Sequence, residues 1–273
     1  MRLIDRMLQW IYFSRLFRSG QSKRDQKAPQ QPGLDQAKLK VPMHLAVIMD
    51  GNGRWAQRRG LPRQAGHRQG SEKLQDLCRM CGNHGIKYLT VYAFSTENWN
   101  RPQDEVHTLM ALFVEFFHRF DAQLAEEGIR VRFSGDINNL PEHIQKIIKK
   151  AEADSYNRQR MQLIIAINYG GRRELVQACQ KLASKAAAGE ISPDSIDEDL
   201  LSRHLYLPDV PDPDLIIRPS GEQRLSNFLI WQSAYSELWF SDVLWPDFSE
   251  SDLQEALTAY TRRDRRYGGI KKS

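Results

Sequence analysis

From Pro42 onward, short apolar runs alternate with longer stretches in which apolar residues recur every three or four positions. The first pattern predicts strands and the second helices. Strands are expected at His44–Met49, Tyr88–Phe94, Arg130–Ser134, Met161–Asn168, Leu215–Arg218 and Leu238–Ser241. Helical stretches are expected from the turn after Met49 to about Arg59, and over Ser71–His84, Glu105–Glu127, Pro141–Arg158, Arg172–Ala188 and Ser249–Arg265. Met161–Asn168 is apolar on both faces, which suits a central strand covered on both sides. The alternation predicts one α/β domain, residues 41–273, around a mostly parallel sheet flanked by helices.

Residues 1–40 read differently. Leu3, Ile4, Met7, Leu8 and Ile11 fall on one helical face with Arg2, Asp5, Arg6 and Gln9 opposite, followed by a Gln-, Lys-, Ser- and Pro-rich linker over 19–40. Such a helix is equally consistent with a membrane surface or with packing on protein. The segment holds nine Lys and Arg against three Asp, more than the whole net charge of +5. The rest of the chain is therefore near neutral, which argues against a nucleic-acid partner by bulk charge. Asp5, Arg6 and Arg15 interrupt any secretory apolar region, and no apolar run approaches the roughly 20 residues of a membrane span. Three cysteines make no disulfide framework, and Cys78-x-x-Cys81 lacks a second pair for zinc, so both read as buried thiols of a cytoplasmic protein.

In an open parallel sheet, ligands bind beyond the carboxyl ends of the strands. The first strand runs into Asp50-Gly51-Asn52-Gly53-Arg54-Trp55. The glycines permit close backbone approach, Arg54 suits phosphate oxygens, and Asp50 is placed to hold Mg²⁺ on a diphosphate. A capped strand-to-helix turn is the plainer reading. Arg63 and His67 follow near the same loop. The second strand ends in Ser95-Thr96-Glu97-Asn98-Trp99-Asn100-Arg101, and the segment Arg218–Asn227, with Arg224, Leu225 and Ser226, is a second candidate anion site. Glu237, among Tyr235, Leu238 and Trp239, needs a metal or an arginine partner. The residues alone suggest chemistry between two phosphorylated substrates.

The segments His44–Trp55, Tyr92–Arg101, Asn168–Arg172 and Arg218–Asn227 closely resemble the signature blocks of the cis-prenyltransferase family, bacterial undecaprenyl diphosphate synthases in particular. The likeness runs from about residue 42 to Gly269, and no D-D-x-x-D of the trans-acting enzymes occurs. The resemblance implies a Mg²⁺-dependent transferase that condenses isopentenyl diphosphate onto an allylic diphosphate, with undecaprenyl diphosphate as the expected product. It implies that Asp50 and Glu237 bind metal and that Gly51, Asn52, Gly53, Arg54 and Arg63 cradle the allylic diphosphate. Arg218, Arg224 and Ser226 would take isopentenyl diphosphate. Asn98 holds the proton-acceptor position, though an amide is a poor base and released diphosphate or water is an alternative. Trp55, His67, Ser95, Thr96, Glu97, Trp99, Arg101 and Leu225 would complete the substrate site. The helix Glu105–Glu127 would wall an apolar tunnel, with Met161 toward its floor. Arg266-Tyr267-Gly268 matches an element that reaches a partner subunit, implying a homodimer.

Product length is not fixed by these motifs, so a family member of other chain length stays open. A non-catalytic family subunit should lack Asp50, Arg218 and Arg224. A haloacid-dehalogenase-like phosphatase would need a second Asp where Asn52 stands.

Overall fold

The computed structural model describes residues 39–263. The amphipathic segment, most of the linker and Arg266–Gly268 lie outside them. Six strands form one parallel sheet: β1 (His44–Ile48), β2 (Tyr88–Ser95), β3 (Ile129–Ser134), β4 (Met161–Tyr169), β5 (Leu215–Arg218) and β6 (Glu237–Phe240), in the order β3-β4-β2-β1-β5-β6. The helices are α1 (Asn52–Arg58), α2 (Arg63–His84), α3 (Gln103–Glu126), α4 (Glu142–Ser155), α5 (Gly171–Ala187), α6 (Glu198–Ser202) and α7 (Glu250–Arg262). The expected fold class holds.

Period-two alternation divides the strands between two cores. Leu45, Val47, Leu89, Val91, Leu163 and Ile165 face the larger one, which α2, α3, α4 and α7 cover. Ala46, Ile48, Ala166 and Ile216 face a smaller one closed by Phe228 and Leu229. Cys78 and Cys81 are buried in α2, and burial raises both thiol pKa values, as inert core thiols require.

Two differences from the sequence reading bear on the site. Helix α2 starts at Arg63 rather than Ser71. Gly66 and Gly70 let α2 pack directly on Asn52; a Cβ at Gly66 would lie 2.0 Å from the Asn52 carbonyl oxygen. Arg63 and His67 are thereby fixed on a helix. The short α6, capped by the Asp197 side chain accepting from the Leu200 amide at 2.7 Å, was not expected.

Candidate active site

The chain leaves β1 toward β2, β4 and β3, then returns to lay β5 on the other side of β1. The β1/β5 pair is therefore the switch point of the sheet, where the connections diverge and open a crevice. Asp50 follows β1 and Arg218 ends β5. Arg218 Nη2 donates to Asp50 Oδ2 at 2.9 Å, and Arg54 Nη2 lies 3.4 Å from Asp50 Oδ1. Gly51, at φ +105°, makes the turn in a conformation that side chains disfavour, and Leu244 packs 3.0 Å from where its Cβ would be. Burial pushes the Asp50 carboxyl pKa up. Hydrogen bonds from Arg218 and Ser220, with the charges of Arg218 and Arg54, outweigh it and leave the group below its ordinary value.

Arg218 is almost completely buried and organises the loop beyond it. Its Nη1 donates to the Arg224 carbonyl and to Ser226 Oγ, the latter at 2.8 Å. Arg54 donates to the Ser220 carbonyl at 2.8 Å and to its Oγ at 2.7 Å. Ser220, Ser226 and Asn227 have positive φ of 89°, 51° and 66°. Such backbone costs roughly 1–3 kcal/mol per residue and persists where its surroundings dictate it, commonly at ligand clamps.

A second cluster gathers on Glu105 of α3. Its Oε1 accepts from Arg63 at 3.2 Å and Arg101 at 2.9 Å, and lies 3.5 Å from His67 Nε2. Burial, then the charge of Arg101, lowers the His67 pKa, with Arg63 adding to it against Glu105; the ring is neutral at pH 7. Its Nε2 is buried and makes no hydrogen bond with good geometry. The Arg63 guanidinium rests on Gly53, 3.0 Å from where a Cβ would be.

After β2, the 3₁₀ turn Thr96–Asn100 is capped reciprocally: the Ser95 amide donates to Asn98 Oδ1 at 3.0 Å, and Ser95 accepts from the Asn98 amide. Thr96 Oγ1 donates to Glu97 at 3.2 Å, and Asn227 Nδ2 donates to Glu97 at 2.8 Å, which ties this turn to the Arg218 loop. Trp99 Nε1 donates to Asn168 Oδ1 at 2.8 Å, and its ring meets Phe94 edge-on.

Between these clusters opens a cavity of about 740 Å³. Asp50, Asn52, His67, Ser95, Glu97, Asn98, Arg101, Arg218, Arg224 and Ser226 line its polar part. Leu109, Met110, Leu112, Phe113 and Phe116 of α3, with Ile165 and Ile167 of β4, line its apolar part. Gly51, Gly53, Arg54, Arg63, Thr96 and Trp99 support this lining from just outside it. Leu225 packs beside the smaller core. Trp55 is buried away from the cavity, donating from Nε1 to Asp247 at 2.7 Å beneath the Arg59 guanidinium. Met161 lies beyond the cavity, in the same core but nearer the start of β4.

Glu237 does not share this edge with Asp50. Glu237 begins β6, level with Leu215 and through it with Leu45, whereas Asp50 lies past the far end of β1. Its carboxylate accepts from Arg263 at 2.6 Å, so the arginine partner is present and the two carboxylates do not meet within one chain. Among the described residues no three His, Cys, Asp or Glu side chains cluster to hold a metal. An ionised, half-exposed Asp50 with free lone pairs still fits Mg²⁺, which commonly takes one or two carboxylates and completes its shell with phosphate oxygens and water.

Glu105 belongs to the site but was not singled out; Arg172, Ser220 and Asn227 fell within the quoted segments but were given no role of their own. The Arg172 amide donates to Asn227 Oδ1 at 2.8 Å, and Arg172 lines the cavity. Glu105 was read only as the start of an apolar helix. Its position one turn beyond Arg101 was the available signal.

Arginines and an acidic strand end at a switch point, above a deep apolar cavity, define an enzyme that handles an anionic head carrying an apolar tail. Residues 48–268 match the family described as putative undecaprenyl diphosphate synthase. An isoprenyl transferase of Heliobacterium mobile is 54% identical over 232 residues, covering 85% of this chain and 89% of that protein. One of Thermotoga maritima is 50% identical over 232 residues, covering 85% and 99%. Among solved structures, lavandulyl diphosphate synthase from Lavandula x intermedia, in complex with dimethylallyl diphosphate, superposes with a TM-score of 0.82 at 39% identity, covering 84% of this chain and 99% of that one. A probable undecaprenyl diphosphate synthase from Campylobacter jejuni gives 0.70 at 30% identity, covering 84% and 100%. The chain belongs to the cis-prenyltransferase family and is a prenyltransferase.

Proposed function

We propose that the enzyme extends an allylic diphosphate, with farnesyl diphosphate as primer, by successive additions of isopentenyl diphosphate to give undecaprenyl diphosphate. The observation that carries this reading is the single cavity with arginines and Asp50 at one end and the aromatic and aliphatic face of α3 at the other. A diphosphate at the polar end would place its isoprenoid chain against Leu109, Phe113 and Ile165.

In this reading the Asn52 turn, Arg63 and His67 hold the allylic diphosphate, with Arg54 behind them. Arg218, Arg224 and Ser226 hold isopentenyl diphosphate. Asp50 would hold Mg²⁺, which when bound neutralises charge on the departing diphosphate. The arginines meet the same developing charge from fixed positions, which costs no reorganisation at the moment of bond breaking. The allylic C–O bond breaks, the isopentenyl double bond forms the new C–C bond, and one proton leaves from the adjacent carbon. Asn98 Oδ1 is already engaged by the Ser95 amide. We therefore assign Asn98 to orienting the substrate and the proton to the released diphosphate, the stronger base.

Incubation with Mg²⁺, farnesyl diphosphate and radiolabelled isopentenyl diphosphate, followed by sizing of products, tests the reading. A C55 product is expected; a sharply shorter product would reassign chain length, and no elongation would overturn the reading. We further propose a cytoplasmic homodimer. Among the described residues β6 is the last strand on its side of the sheet, and its half-buried Leu238, Trp239 and Phe240 support the dimer. A metal role for Glu237 then requires ligands from a second copy. No helix among the described residues is long and apolar enough to cross a membrane. Residues 1–40 are proposed as a peripheral membrane contact, to be tested by liposome sedimentation of the full chain beside one starting at Lys40.

A further inference from the structure

The opposite edge of the sheet, where the strands begin, carries a second cavity of about 500 Å³. Tyr88, Gln162 and Arg130 stand side by side there across β2, β4 and β3. The Arg130 guanidinium lies 4.7 Å from the Tyr156 ring centroid; its charge reaches Asp209, but that carboxylate is held by both Nη atoms of Arg132, at 2.6 and 2.8 Å. Lys87 is exposed, and its ammonium has no hydrogen bond or ion pair among them. Arg158 and Arg160 also line the cavity but are satisfied, the first by Asp121 and the Ile129 carbonyl, both at 3.3 Å, the second by Asn83 at 3.1 Å and Glu127 at 3.6 Å. Two cations are thus in surplus, Lys87 just before β2 and Arg130 on β3, about two strand spacings apart.

Exposed apolar groups rim this cavity. Met43 is 57% and Tyr156 64% exposed, and Val41, two residues before Met43, is 36% exposed. A small soluble anion would gain nothing from them. A lipid surface supplies phosphates for the cations and an interfacial zone for a methionine and a tyrosine. Charge complementarity therefore selects an anionic bilayer as the occupant.

We propose that this edge of the folded domain contacts anionic phospholipid headgroups, with Lys87 and Arg130 meeting the phosphates and Met43 and Tyr156 entering the interface. The contact lies at the starts of the strands, at the opposite end of the sheet from Asp50 and Arg218.

The test is sedimentation of the full chain with vesicles of phosphatidylcholine containing phosphatidylglycerol, beside Lys87→Gln/Arg130→Gln and Met43→Ser/Tyr156→Ser. Each cation at an anionic surface contributes about five-fold to partitioning, so losing both should weaken binding roughly 25-fold. The apolar pair should weaken it as well, and unmixed phosphatidylcholine should bind poorly. Thermal melts and prenyl transfer on soluble substrates, expected to be unchanged, show that the variants fold. Folded variants that sediment like the wild type would assign all membrane binding elsewhere and overturn the proposal. So would glycerol phosphate raising the melting temperature of wild type but not of the charge variant while vesicle binding stayed equal, which would mark a soluble-anion site instead.

Discussion

The Asp50 carboxylate and the Arg218 guanidinium, 168 positions apart in sequence, are joined at 2.9 Å across the β1/β5 switch point. Asp50 thereby receives positive charge before any ligand arrives, and its carboxyl stays ionised below the usual carboxylate range. Asp50→Ala is expected to lower kcat by roughly 10³-fold, about 4 kcal/mol of transition-state stabilisation. Turnover of the wild type should not fall through Asp50 until the pH drops below the ordinary Asp value. Circular dichroism alongside kcat provides the check: a folded variant with near-normal kcat at saturating Mg²⁺ would reject the role.

Arg218 and Arg224 should separate experimentally although both are assigned to one substrate. Arg224 is largely exposed and paired with Glu222, so Arg224→Ala should raise KM for isopentenyl diphosphate and change stability by about 0.5 kcal/mol or less. Arg218 is buried and braces Asp50, Ser226 and the Arg224 carbonyl, so Arg218→Ala should also cost about 3–5 kcal/mol of stability. Steady-state kinetics with each substrate varied in turn, beside urea unfolding, reads both. Equal weakening of the two substrates by Arg224→Ala would undo the two-site assignment.

Product length should respond to what lies below the cavity. Ile167 and Ile165 line it, and Leu163 and Met161 continue the same sheet face deeper into the core. Met161 is four residues, about 13 Å, beyond Ile165. A chain outgrowing the cavity along this face would meet Met161 late. Met161→Ala is expected to lengthen products with little change in the first condensation, at a stability cost of about 2–5 kcal/mol. An unchanged length distribution with a lowered melting point would leave Met161 as core packing only.

His44 gives the protein an acid sensitivity unrelated to catalysis. The ring is buried, with Nε2 at 2.7 Å from Thr90 Oγ1 and Nδ1 at 2.6 Å from the Pro211 carbonyl, and burial lowers its pKa to about 4 despite the opposing pull of Pro211 and Asp214. The unfolded chain takes up this proton near pH 6.5 and the folded chain only near 4. The stability is therefore complete above about pH 6.5 and is lost as pH falls toward 4, on the order of 3 kcal/mol in all. Urea unfolding of wild type and His44→Gln across that window should converge at low pH; parallel curves would show that His44 titrates normally.

The strand ends were legible in the sequence because apolar runs break into polar, Gly-bearing segments at the points where a parallel sheet opens. Asp50, Ser95–Arg101 and Arg218–Ser226 were accordingly found. What the sequence did not convey was depth and direction. Glu237 was given a metal role by resemblance although the expected strand, Leu238–Ser241, already put it at the strand's start, away from Asp50. The start of α2 at Arg63 rather than Ser71 was hidden because Gly66 and Gly70, poor helix formers, are helical only through their close packing on Asn52. Glu105 escaped because its ligands, Arg63, His67 and Arg101, come from three elements that only the tertiary fold assembles.

The strand order has a consequence for biosynthesis. β1 lies at the middle of the sheet, yet its partner on one side, β5, follows it by about 170 residues, with Val47 opposite Ile217. At roughly 5–20 residues per second, a ribosome needs about 10–30 s to make that stretch. Throughout this interval the unpaired side of β1 is an apolar template at the centre of a half-built sheet. The residues that close it are the ones that bring Arg218 to Asp50, so the nascent chain gains protection from misassociation and the geometry of its active site in one late event.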